Sequence, residues 1–187
     1  MISIVALWLP ILVSAVLVFF ASWLLHMFIP YHRTDYSKVD NEEAAQDALR
    51  SCNLPQGEFF IPHCDGPKQM KDPAYIEKLD KGPVAMITVM PNGQFNMGKS
   101  LALWFAYCII VSILAAYITG QALAPGADYL KVFQIAGCTA FIAYFVALIQ
   151  NSIWYYRKWS TTLKYMIDGL VYSLCTAGAF GWLWPGL

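Results

Sequence analysis

The residue in this sequence best placed to do chemistry is Asp168, an acid inside the apolar stretch STTLKYMIDGLVYSLCTAGAFGWLWPGL that runs from Ser160. A charge at such a position in hydrocarbon costs at least ~2.5–3.5 kcal/mol on insertion scales, so it marks either a functional site or a paired anchor. Lys164 precedes it by four residues, on the same face of a helix, and its long stem can carry the ammonium to the interface while pairing with the acid. Among the further polar residues of the apolar stretches, Ser22, His26, Gln150 and Asn151 stand out by position. If the segments cross a membrane, these residues and Asp168 share one depth in the inner leaflet. Two readings follow. His26 and Asp168 form a proton, ion or small-ligand site, or the set is an anchoring network in which Gln150 and Asn151 hydrogen-bond across helices, worth roughly 0.6 kcal/mol each.

Other constellations carry less. His63-Cys64-Asp65, with His32 and Cys52, has metal-ligating atoms but no recognisable ligand spacing, so neither a metal site nor a cofactor is expected. His26 is the one histidine of the apolar segments, which leaves a bis-histidine haem without its second ligand. No glycine-rich phosphate loop, nucleophile elbow or HExxH is present. The five cysteines, at 52, 64, 108, 138 and 175, make no CxxC, and three of them sit in apolar stretches, where a thiol behaves as a small hydrophobe. No reaction is indicated, and the protein reads as non-enzymatic.

The elements that must position these residues are membrane spans. The 187 residues are 58% hydrophobic and only 13% charged, against roughly 25% charged in a soluble domain. Net charge is zero, which gives no electrostatic case for nucleic acid. Eight of the twelve Lys and Arg and ten of the twelve Asp and Glu fall between residues 31 and 99. The organisation is therefore an all-α membrane protein. Residues 1–30 form a first transmembrane helix, 31–97 a small cytoplasmic α/β insert, and 98–187 three more spans.

Residues 2–29 exceed the ~20 needed to cross a bilayer and lack the basic start of a cleaved signal peptide, so they read as a retained helix, with Pro10 a possible kink. In the insert, Asp40 is expected to cap a short helix with Glu43 as its partner, and Asp72-Pro73 to start another. Glu58–Ile61 and Val84–Met90 read as strands. Basic residues gather on one side of the spans (Arg33, Lys38, Lys99, Arg157, Lys158, Lys164), and only Lys131 lies on the other. This places both termini outside and the insert in the cytoplasm.

Two strips of small side chains at four-residue spacing, Gly169-Ser173-Ala177-Gly181 and Ser112-Ala116-Gly120, offer close-approach faces. In lipid such faces drive helix association where apolar burial cannot. Four spans need fewer of them than the chain offers, which favours an accessory or structural subunit that packs against itself or against a larger membrane complex. The strips can equally be used up inside the bundle. The alternative from another class is a small transporter or proton-coupled carrier using Asp168 and His26.

The segments LHMFIPYHRTDY, GEFFIPHC, GPVAMITVMPNG and MIDGLVYSLCTAGAFGWLWP together resemble an uncharacterised family of small bacterial inner-membrane proteins with four helices. The resemblance implies a bacterial source and a retained first helix, and carries no activity.

Overall fold

The computed structural model describes residues 2–186. The chain divides into two units, Met1–Tyr36 with Asn96–Leu187, and Ser37–Phe95. The first is built from α1 (Trp8–Met27), α4 (Met97–Ala122), a third helix in two pieces, α5 (Tyr129–Tyr144) and α6 (Ile149–Trp154), and α7 (Trp159–Trp182). Three of these stretches, Ile4–Met27, Met97–Ala122 and Tyr129–Trp154, are long and apolar enough to cross a membrane. α7 has 24 residues, about 36 Å at the helical rise, but Thr161, Thr162, Lys164, Asp168, Ser173 and Thr176 dilute its apolar content.

Each long helix packs on two others: α1 on α4 and α7, and α5 on α4 and α7. The four therefore close into an up-down-up-down bundle. α7 is its most enclosed member, with Gly169, Ser173, Ala177 and Gly181 all buried. Small side chains allow this. A Cβ at Gly169 would lie 2.8 Å from the Cβ of Phe145, and one at Gly181 would lie 2.6 Å from the Tyr129 ring. Ala177 meets Gly137 in the same way. The second strip faces α1 and the chain's start. Ser14 Oγ donates to Ser112 Oγ at 2.8 Å, Ala116 is fully buried, and Gly120 receives the Ile2 backbone N–H at 2.9 Å. Both strips are thus filled within the chain.

Pro10 falls in the first turn of α1, directly after a 3-10 turn at Ile4–Leu7. Its missing N–H costs no helical hydrogen bond there, so no kink is needed. At the same end, Gly126 N–H donates to the Pro185 carbonyl (2.8 Å) and the Trp184 indole donates to the Ala124 carbonyl (3.0 Å). The start of the chain, the α4–α5 turn and the final residues are so tied together.

The second unit holds α2 (Glu42–Ser51), α3 (Pro73–Lys81) and a two-stranded antiparallel sheet, β1 (Gly57–Ile61) against β2 (Ala85–Val89), with Phe59 opposite Ile87. α2 is capped by Asn41, whose side chain accepts from Ala44 N–H, and not by Asp40. The Asn41 carbonyl oxygen occupies the capping position, and Glu42 and Glu43 then fill the first turn, where the helix dipole favours negative charge. α3 starts as expected, with Asp72 accepting from Ala74 N–H ahead of Pro73, and ends on Gly82 at φ +58°.

Candidate functional site

Pro30 opens a 3-10 turn, Pro30–Thr34, at the end of α1. This exit belongs with the bundle and not with the insert, because its side chains close onto α7. Tyr31 donates its phenol proton to Asp168 Oδ1. His32 Nε2 lies 2.9 Å from Asp168 Oδ2, and its Nδ1 lies 2.7 Å from Asp35 Oδ2. Lys164 Nζ donates to Asp35 Oδ1 and to Thr34 Oγ1, both at 2.7 Å. The Asp168 and Asp35 side chains are only 2% and 5% exposed. The imidazole of His32 thus joins two carboxylates, one of which is also held by an ammonium.

Charge follows from this geometry. An ionised carboxylate only accepts, so with both acids ionised both His32 nitrogens must donate and the ring is an imidazolium. Asp35 lies on the exit, outside the helices. Burial alone would raise its pKa, but the hydrogen bonds from Lys164 and His32 outweigh it and hold the carboxyl below its ordinary value.

His26 completes the cluster from the last turn of α1. Its Nδ1 lies 3.0 Å from the Ser22 carbonyl, which can only accept, so Nδ1 carries a proton and, in the neutral ring, Nε2 presents the lone pair. The ring stacks on His32 at 4.5 Å between centroids and 9° between planes. One ligand atom from each of His26, His32 and Asp168 falls within 4.8 Å of the others, so together they could hold a metal ion. Stacked, near-parallel imidazoles send their in-plane lone pairs side by side, however, whereas a metal needs them to converge at about 2.0–2.1 Å. Chelation by both rings requires the stack to open; proton sharing does not.

Beside the cluster, α1, α4, α5 and α7 enclose a cleft of about 680 Å³ reached by His26 and Asp168 and walled by aromatic rings. Trp104 and Tyr107 come from α4, Tyr144 from α5, and Tyr165 and Tyr172 from α7. Four of these rings pack against one another, with Tyr144 5.4 Å from Tyr172 and Trp104 5.9 Å from Tyr172. The Trp104 indole donates to Ser22 Oγ at 2.8 Å, and Ser22 Oγ donates on to the Phe19 carbonyl, which commits both protons within the protein.

The third helix is broken at this level. α5 stops at Tyr144, Phe145 takes φ −126° and ψ −50°, and a 3-10 turn over Val146–Leu148 leads into α6. Gly169 sits against the break, where only a residue without Cβ tolerates Phe145. Tyr107 donates to the Ala143 carbonyl at 2.8 Å, and so satisfies an acceptor at the break. Interrupted helices that line a cavity are where membrane proteins place binding groups.

Of the residues singled out from sequence, Asp168 and His26 come together. Lys164 joins the network, but through Asp35 and not through Asp168: the helical spacing allows the i, i+4 pair, but the exit delivers a better-placed carboxylate to Lys164 and a tyrosine and a histidine to Asp168. Gln150 is exposed, and Asn151 acts through its backbone carbonyl, which accepts from Tyr155 and Arg157; neither side chain enters the network. His32 was grouped with Cys52, His63 and Cys64; the structure puts it on Asp168 instead. His63 stays with Asp65, 3.3 Å away, both side chains largely exposed, and Cys52 is exposed too. Tyr31 and Asp35 are not found by the sequence reading, nor is the pairing of His32 with Asp168. The signal for them was the Pro30 exit, whose YHRTDY packs four hydrogen-bonding side chains into one tight turn.

Fold and site together define a helical protein compatible with a membrane, with a buried histidine–carboxylate network at one end of its bundle and an aromatic cleft beside it. Comparison of the chain with models of known protein families, with curated proteins and with solved structures returns no match.

Proposed function

We propose that this is a four-span protein of a bacterial inner membrane, with both termini outside and residues 31–97 in the cytoplasm, and that it acts as a small proton-coupled carrier. The observation that carries the reading is the convergence of His26, His32 and Asp168 on the aromatic cleft. A proton held by the His32–Asp168 pair and a ligand in the cleft share a wall, so occupancy of one alters the energy of the other. α7 supplies the fourth span, its polar residues facing inward, and the excess of basic residues on the insert side sets the orientation. The subunit reading rests on the two small-residue strips, and both are filled by the chain's own helices, which removes its motive.

The test is reconstitution of the full chain in liposomes with a trapped pH-sensitive dye, challenged with an organic cation, an organic anion and a neutral solute of similar size. The cation is permanently charged, so it moves no proton by itself. Protein-dependent proton movement with one of them, lost in Asp168→Asn with folding intact, is the expected result. If none of the three moves protons, the carrier reading fails.

A further inference from the structure

The cleft and the cluster also fix the charge of what is carried. Among the described residues lining the cleft none is Lys or Arg, and the titratable groups nearest its polar end are Asp168 and His26. Asp168 presents a carboxylate and His26 a lone pair on Nε2, its proton being committed to the Ser22 carbonyl. Beside Met27, Met97, Leu101 and Leu148, the large side chains of the remaining wall are aromatic, and aromatic faces carry negative potential that attracts cations, most strongly at tryptophan. Asp168 and the His26 nitrogen offer acceptors at the polar end, which disfavours an organic anion, and the tyrosine hydroxyls of the wall bring no positive charge to offset this. The volume of about 680 Å³ suits a drug-sized molecule.

The cluster's charge count points the same way. It contains two carboxylates, Asp35 and Asp168, and one ammonium, Lys164, bound to Asp35. One further positive charge closes it; with both acids ionised, the two carboxylate contacts of His32 make its ring the place for that charge when no ligand is present. His26 stacks on His32 and also faces Asp168, so the exchangeable proton belongs to this histidine–carboxylate cluster as a whole; the remaining charged or titratable groups nearby leave the count unchanged. Tyr31 and Tyr165 are neutral, Arg33 is exposed on the turn, and Arg157 stands over the Tyr165 ring at 4.4 Å, not on a carboxylate.

We propose that the cleft binds a lipophilic organic cation, an aromatic or branched apolar body carrying an ammonium-type head, and that its binding beside Asp168 releases the proton of the His32–Asp168 pair to the bulk. No covalent bond changes; one positive charge replaces another. The inference rests on the carrier reading and assigns its substrate class.

The experiment uses the full chain in lipid nanodiscs and three probes that share a phenyl ring and differ in charge: benzyltrimethylammonium, benzenesulfonate and benzyl alcohol. Binding is followed by equilibrium dialysis and proton release by a pH dye in weak buffer. The cation is expected to bind with release of about one proton, and its affinity to fall up to about tenfold per pH unit on acidification. Asp168→Asn should weaken binding at least about tenfold and abolish the release, whereas Asp168→Glu should retain both, which separates lost chemistry from lost folding. Trp104→Leu should weaken the cation several-fold.

Preferential binding of the sulfonate or the alcohol, with protons still moving, overturns the cation inference and leaves the carrier reading standing. Cation binding without proton release overturns the exchange. Tight stoichiometric binding of Zn²⁺ alone that requires His26, His32 and Asp168 makes the cluster a metal site and overturns both. Should no solute drive protein-dependent proton movement in the liposome assay and no probe bind in nanodiscs, the carrier reading falls and takes this inference with it.

Discussion

His32 Nε2 stands 2.9 Å from Asp168 Oδ2 although 136 residues separate the two in sequence. Both side chains are largely removed from solvent, so each depends on the other for compensation. Truncating one member of a buried pair costs about 3–5 kcal/mol, because the partner is left uncompensated. His32→Ala and Asp168→Ala should each lower stability by that order in detergent unfolding. The double variant should cost clearly less than the sum of the two; strict additivity would show that the residues do not interact.

Asp35 sets an acid limit on stability. Its folded pKa lies below its unfolded one, so the stabilisation it gives is present above the unfolded value and is lost as pH falls through the folded value. Lys164→Met removes one of the hydrogen bonds that depress it, while burial, which pushes the other way, remains. The acid limb of a stability–pH profile should therefore shift to higher pH in Lys164→Met, with Thr34→Val leaving the limb nearly in place. An unshifted limb in the lysine variant would contradict the assignment.

Gly169 and Gly178 are both helical glycines of α7 and should respond oppositely to alanine. At Gly169 the new Cβ meets Phe145 Cβ at 2.8 Å, whereas at Gly178 nothing lies within 4 Å. Overpacking costs about 1–3 kcal/mol, and relief of glycine's backbone entropy in a helix returns roughly 0.5–1 kcal/mol. Gly169→Ala should destabilise, and Gly178→Ala should be neutral or stabilising. Thermal unfolding of the two variants decides it.

Two tyrosines of the cleft wall differ in what their hydroxyls do. Tyr107 donates to the Ala143 carbonyl, while the buried Tyr144 hydroxyl has no hydrogen-bond partner and only the Cys108 thiol beside it. Removing a bonded hydroxyl leaves an orphan acceptor at a cost of about 1–3 kcal/mol, and removing an orphan costs nothing comparable. Tyr107→Phe should destabilise the protein and Tyr144→Phe should not. Equal losses in the two would mean that Tyr144 has a partner of similar strength.

Much of the frame was legible in advance, for identifiable reasons. The apolar runs reveal themselves by length and composition, since a helix that meets lipid has few polar residues to spare. Asp72-Pro73 and Gly82 mark the ends of α3 by local stereochemistry alone. The strand pair came out within a residue or so, because β-branched and aromatic runs bounded by turn residues are local signals too. The cap of α2 was misplaced by one position, Asn41 serving in place of Asp40: adjacent Asp and Asn are both good caps, and the choice depends on where the chain enters the helix.

Sequence by itself determined that Asp168 needed compensation, since an acid in an apolar helix cannot stand alone, and that small residues on α7 and α4 would let helices approach closely. Tertiary structure decided which groups answer the acid. Periodicity within α7 pointed to Lys164, the one neighbour a local rule can see. The groups that reach Asp168 are Tyr31 and His32, delivered by a proline-led turn more than 130 residues earlier in the chain. Lys164 is turned to Asp35 instead. Helical spacing reports proximity along one helix; which side chains meet across a bundle depends on where its ends fold back, and only packing settles that.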